Sequence, residues 1–145
     1  MDDVAAADLT HVREMWAQDR ASAGLGIECL DVSHNGSLGA ATARMPVTEA
    51  MVNGHDLCHG GFIFSLADST FALACNAGGS LTVAATGDIT FVTAARRGDV
   101  LVATARERSV YGRNGITDVS VTREGDGALI AEFRGRSRSV GTSNS

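Results

Sequence analysis

Apolar residues along this chain follow more than one period. Leu9, Val12, Met15 and Trp16 recur at helical spacing before a small-residue stretch at 21–24, so residues 7–20 are predicted to form one short amphipathic helix. Residues 25–33 and 37–46 are apolar segments on either side of His34-Asn35-Gly36-Ser37. An Asn-Gly step between two such segments signals a hairpin, because both residues tolerate the positive φ of a tight turn. Pro46 ends the second strand, since proline has no N–H for the ladder. Residues 60–77 break the alternation: Phe62, Ile63, Phe64, Leu66, Ala67, Phe71, Ala72, Leu73, Ala74 and Cys75 cover every face of a helical wheel. A helix apolar all round is a buried one, and Gly78-Gly79 stops it. Strands are expected at 81–92, 99–109, 115–124 and 128–139, separated by turns such as Arg97-Gly98-Asp99. The polar end of the chain, 140–145, is expected to be a disordered tail.

That order of helix, hairpin, buried helix and strands predicts an α+β fold. One antiparallel sheet wraps a single long central helix, with a short helix at the N-terminus. The length of 145 residues suits a single domain spanning 1–145. Any face of the central helix left open, and the free edge of the sheet, would need a second subunit to cover them.

Composition narrows the partners. The longest apolar runs are too short for a membrane span, and the start Met1-Asp2-Asp3 has neither the basic nor the apolar region of a secretory signal, so a cytoplasmic protein is expected. Cys29, Cys58 and Cys75 form no C-x-x-C pair and read as reduced thiols. A net charge of -5 argues against nucleic acid. Every cation is an arginine, a residue suited to bidentate contact with phosphate.

Asp68 is the one charged side chain between Gly60 and Gly79. Phe64, Phe71, Ala72 and Cys75 share its helical face, so desolvation should raise its pKa toward that of a general base. A hydrogen bond from Ser65, Ser69 or Thr70, or a place at a subunit seam, would also account for a lone carboxylate there. Upstream, Asn53-Gly-His-Asp-Leu-Cys-His-Gly-Gly61 is a polar loop feeding the helix N-terminus. The free amides of Gly60 and Gly61 there are candidates to polarise a carbonyl. Gly60 and Asp68 are eight residues apart, roughly 12 Å along a helix. One carbonyl cannot touch both, so a shared site would take the amide from one chain and the carboxylate from another. His55, Cys58 and His59 carry metal-ligand chemistry without a common zinc spacing, and no metal is expected. Cys58 as a nucleophile beside His59 would need triad geometry that sequence neighbours rarely reach. No G-x-S-x-G elbow is present.

Met51-Val-Asn-Gly-His55, Cys58-His-Gly-Gly61, Phe64-Ser-Leu-Ala-Asp68 and Phe71-Ala-Leu-Ala-Cys-Asn76 together resemble the phenylacetyl-CoA thioesterases of the hotdog superfamily (PaaI-like). Weaker similarity extends over most of the chain, including Phe133-Arg-Gly-Arg-Ser137. The resemblance implies hydrolysis of phenylacetyl-CoA-type or related aryl and medium-chain acyl-CoA, with no cofactor because coenzyme A is part of the substrate. It implies Asp68 as the catalytic carboxylate, either deprotonating water or attacking the carbonyl directly to give a mixed anhydride, the Gly60 amide as carbonyl polariser, Asn53 positioning the nucleophile, His59 orienting the thioester, and a dimer or tetramer as the working state. Related enzymes place a threonine one turn after the carboxylate, where this chain has Ala72, so Ser69 or Thr70 would take that place. Arg96, Arg97, Arg134 and Arg136, with Arg138, are candidates to meet the phosphates of coenzyme A. A hotdog-fold dehydratase or hydratase is the rival enzyme, and it pairs its aspartate with a later histidine on the helix, whereas all four histidines here precede Gly60. The non-enzyme rival is an acyl-CoA binding module without turnover.

Overall fold

In the computed structural model, which describes residues 7–142, the N-terminal segment is two helices rather than the single one expected, α1 (Thr10–Ala17) and α2 (Arg20–Gly24). Asp19 causes the break. Its backbone is extended (φ -79°, ψ 91°), and its carboxylate accepts from the Ser22 amide at 2.9 Å and the Ser22 hydroxyl at 2.6 Å. A side chain that satisfies the first amides of a helix favours a fresh start over continuation.

The hairpin follows as β1 (Glu28–His34) and β2 (Gly39–Pro46). Asn35 Oδ1 accepts from the amides of Ser37 and Leu38, and Gly36 takes a φ of 98°. Pro46 is the last residue of β2, and a 3-10 turn (Glu49–Met51) leads to the loop before α3 (Gly60–Asn76). The remaining strands are β3 (Ser80–Phe91), β4 (Val100–Tyr111), β5 (Asn114–Arg123) and β6 (Leu129–Thr142). Residues 140–142 of the expected tail continue β6, where Gly141 pairs with Leu81 and Thr142 with Ser80. Residues 143–145 lie outside the described residues.

All strand pairs are antiparallel, in the order β1-β2-β4-β5-β6-β3. The sheet curls round α3, the hotdog arrangement that the sequence resemblance implies. Alternate positions face the helix and are buried: Ala41, Ala43 and Met45 on β2, Leu101, Ala103 and Ala105 on β4, Val119 and Val121 on β5. Alanines on β2 and β4 let α3 come close, to the point that a methyl group on Gly39 would overlap the Ala74 carbonyl. On the other flank Phe64 and Phe71 meet Phe133 edge to face, at 5.4 and 5.7 Å between centroids. Gly87 of β3 and Gly135 of β6 leave room for that cluster. The C-terminal end of α3 is tied to β3 through Asn76, whose Oδ1 accepts from the Thr82 amide and whose Nδ2 donates to the Thr82 carbonyl, both at 3.0 Å.

These contacts fix the rotation of α3. Ile63, Leu66, Thr70, Phe71, Leu73 and Ala74 are buried by the sheet and the N-terminal helices, but Gly61 and Asp68 are exposed, with Ser65 and Ala72 half-buried between them. The helix expected to lose water on nearly every side therefore keeps one stripe uncovered within its own chain. β3 is similarly open. It pairs with β6 on one side only, runs for 12 residues without proline, and exposes Leu81, Val83 and Phe91 at its edge. A long unprotected edge of this kind invites a further strand.

Candidate active site

The loop before α3 is held at both ends, because the Cys58 amide donates to the Ala95 carbonyl and the His59 amide to the Met51 carbonyl, each at 2.8 Å. His59 is extended (φ -60°, ψ 139°), and the chain turns into α3 at Gly60. The amides of Gly60 and Gly61 have no acceptor among the described residues. They point their hydrogens out of the positive end of the helix, as an anion or a polarised oxygen would require.

Asn53 organises the loop. Its Oδ1 accepts from the amides of His55 at 2.9 Å and Leu57 at 3.1 Å, which leaves only Nδ2 free to address a substrate. The same turn places Asp56 at a φ of 64°, a conformation that aspartate tolerates better than most residues. The His55 and His59 rings are exposed, and the His59 ring stands beside the Gly60 amide in sequence. Cys58 is buried, and burial, with the Asp99 charge adding, pushes its thiol up to about 11, so it is a poor nucleophile at neutral pH. No three His, Cys, Asp or Glu side chains among the described residues group closely enough to hold a metal ion.

Asp68 differs from expectation in one respect: in the single chain it is exposed, not buried. Its pKa is nevertheless raised, first by desolvation and then by the charge of Asp19. None of the neighbouring hydroxyls satisfies it. Ser65 donates to the Gly61 carbonyl at 2.9 Å, Thr70 to the Leu66 carbonyl at 2.7 Å, and Ser69 shares a 2.8 Å hydrogen bond with Ser22. A local hydroxyl partner for the carboxylate is therefore absent from α3, and a place at a subunit seam remains. Ser69 is committed to α2 and Thr70 to its own helix, so within the chain neither supplies the hydroxyl that Ala72 lacks. Asp19 and Ser22 are site neighbours that the sequence pattern did not reveal. The signal was a local one, an aspartate three residues before a serine at a helix start, but nothing in the sequence says that this cap docks on α3.

The candidate arginines do not converge. Arg97 lies 3.5 Å from Asp56 and 4.0 Å from Glu49. Arg134 is held by Asp118 through two bonds of 2.6 and 2.8 Å. That side chain, with Arg136 and Arg138, is on the exposed face of β6, while Phe133, Gly135 and Ser137 between them face the helix. Arg96 is exposed, its segment bridges to Leu57 of the site loop, and among the described residues its guanidinium has no ion-pair partner. A cavity of about 350 Å³ opens beside the N-terminus of α3, between Gly60, Ile63 and the segment from Phe91 to Ala95.

Known proteins share the family and the fold of this chain. The model of the thioesterase superfamily matches residues 55–130. The acyl-coenzyme A thioesterase PaaI of Escherichia coli is 38% identical over 127 residues, covering 88% of this chain and 87% of that protein. Human acyl-coenzyme A thioesterase 13 is 33% identical over 98 residues, 66% of this chain and 70% of its own. Among solved structures, the E. coli PaaI protein from the phenylacetic acid degradation operon superposes with a TM-score of 0.85 at 35% identity, over 93% of this chain and 98% of that one.

Proposed function

The chain belongs to the thioesterase superfamily, and from that premise we propose that it hydrolyses acyl-CoA thioesters with the Asp68 carboxylate of one protomer and the Gly60 amide of its partner. The observation that carries the reading is the pairing of two unsatisfied groups on one helix: free amides at its start, and a carboxylate of raised pKa on its open stripe.

Two-fold pairing along β3 would extend the sheet across both protomers and cover the edge left bare. Phe64 leans on β3, and Asp68 lies one turn further along the same side of α3, so a partner joined at β3 would bring its own α3 against that stripe. The contact is isologous and yields two equivalent sites. A dimer completes them, and a tetramer would duplicate the pair.

In each site the Gly60 N–H, with the positive end of α3 behind it, receives the thioester oxygen as negative charge develops. The partner's Asp68 takes a proton from water, the water oxygen attacks the carbonyl carbon, and collapse of the tetrahedral intermediate expels coenzyme A as its thiolate. In this scheme Asn53, through the Nδ2 left free by its loop hydrogen bonds, orients water, and His59 orients the thioester. Coenzyme A enters as part of the substrate, so the reaction needs no cofactor. The E. coli relative's place in a phenylacetic acid degradation operon favours an arylacetyl group. Arg96 is the better candidate for the coenzyme A phosphates, since Arg97 and Arg134 are already neutralised by acids. An acyl-CoA substrate implies the cytoplasm as its compartment, and among the described residues no helix is long and apolar enough to cross a membrane.

Thiol release from acetyl-, octanoyl- and phenylacetyl-CoA tests the reading. Turnover fastest with phenylacetyl-CoA is expected. Binding without thiol release would establish a binding module instead, and hydration of a 2-enoyl-CoA without thiol release a hydratase. The pH profile gives a separate check. Asp68 must be ionised to act, so activity should fail on the acid side at a pH above the usual carboxylate range. Asp19→Asn preserves the α2 cap but removes the neighbouring charge that raises this pKa. The acid limb of kcat/KM should move to lower pH in that variant, and an unmoved limb would contradict the coupling.

A further inference from the structure

The cavity at the head of α3 contains a side chain that the catalytic scheme does not use. Phe91 is the last residue of β3, 51% exposed, with its ring tip directed at Gly60. A Cβ on Gly60 would lie 2.7 Å from its Cζ and 3.1 Å from both Cε atoms, so the ring occupies the space that any other residue at position 60 would fill. Beyond the ring the floor is Ile63, Ala95 and Cys58, all buried. Among the described residues no charged side chain lines the space, and its polar side chains are those of Thr93 and Cys58, the thiol of the latter protonated at neutral pH.

We propose that Phe91 is a specificity-determining residue whose ring forms the wall of an acyl pocket at the Gly60 amide, restricting the substrate to uncharged apolar acyl groups of about the size of an arylacetyl group. The inference rests on the thioesterase reading above. A carbonyl held at the Gly60 N–H has two substituents to place. The pantetheine arm is polar and needs a route to solvent, whereas an apolar acyl group gains by entering the cavity. Within one protomer the space measures about 350 Å³, at the small end of the range for ligand sites and enough for one ring and its linker before the partner covers its open side. A second carboxylate on the acyl group would be desolvated there without a cation to meet it. The backbone after Phe91 is pinned by the Val92 amide, which donates to the Ile130 carbonyl at 2.8 Å, while within one protomer the ring keeps one side open, the side that a partner joined at β3 would approach.

The test compares kcat/KM for phenylacetyl-, decanoyl- and succinyl-CoA in the parent protein, Phe91→Ala and Phe91→Leu, with oligomeric state checked by size-exclusion chromatography. In the parent protein, phenylacetyl-CoA should exceed succinyl-CoA by at least about 100-fold. Phe91→Ala should raise the ratio of decanoyl- to phenylacetyl-CoA by about tenfold or more, a change of the size that a few methylenes in an apolar pocket produce. Phe91→Leu, which keeps an apolar side chain at the β3 edge, should fall between, and it decides the matter if the alanine variant loses its assembly. Parent activity with ratios unchanged in both variants would overturn the role of Phe91 alone. A parent protein that releases no thiol from any of these substrates would overturn the thioesterase reading and this assignment together.

Discussion

Asp68→Asn is expected to lower kcat by about 10²- to 10⁴-fold, the range that general-base assistance supplies, while leaving the fold and the oligomer intact. Asparagine matches the carboxylate in shape and cannot take a proton from water. Stability should not fall with activity. The folded chain holds Asp68 at a raised pKa, through desolvation first and the Asp19 charge second, so it binds the carboxyl proton more tightly than the unfolded chain does. The associated stability is complete below the unfolded carboxylate pKa and is lost as pH rises through the folded one. At pH 7 the parent protein therefore bears the cost of an ionised, partly desolvated group that asparagine removes. Thermal melts at pH 7 should place the variant at or above the parent. A variant that unfolds at markedly lower temperature would mean that Asp68 holds structure together.

Gly60→Pro is expected to cost about 10²- to 10³-fold in kcat, as loss of one oxyanion donor does. Proline removes the N–H and is well accepted at the first position of a helix. His59 already has the extended backbone that a following proline demands. Gly60→Ala is the control. Both side chains must push the Phe91 ring aside, but alanine keeps the amide, so the difference in kcat between the two variants isolates the hydrogen bond from the displaced ring. Equal losses in the two would assign the defect to Phe91.

Much of this fold was legible from periodicity, because α3 and the strands of the sheet each have a local pattern tied to burial. The limits are equally physical. The split of the N-terminal helix at Asp19 depends on one cap competing with continuation, a balance that an amphipathic pattern does not register. β6 extends through residues 140–142 because β3 is there to pair with it, and a polar sequence gives no sign of that partner. For the site, Asp68 stood out because a charge is costly in an apolar helix, and Gly60 because amides are free at a helix start. What could not be read was which neighbours fold onto them. Ser69 is turned toward Ser22, Arg134 toward Asp118, and Phe91 reaches Gly60 from 31 positions further along the chain. The apolar circumference of α3 was likewise plain, but not the identity of its uncovered stripe, which follows from how the aromatic cluster sets the helix rotation.

A complementation assay reaches the shared site most directly. Gly60→Pro and Asp68→Asn chains are each inactive alone but, mixed through reversible unfolding, should form heterodimers in which one site takes its amide from the Asp68→Asn chain and its carboxylate from the Gly60→Pro chain. Random pairing makes half the dimers mixed, each with one intact site of two, so about a quarter of the parental rate should return. A mixture that forms heterodimers and stays inactive would contradict a site built across two protomers.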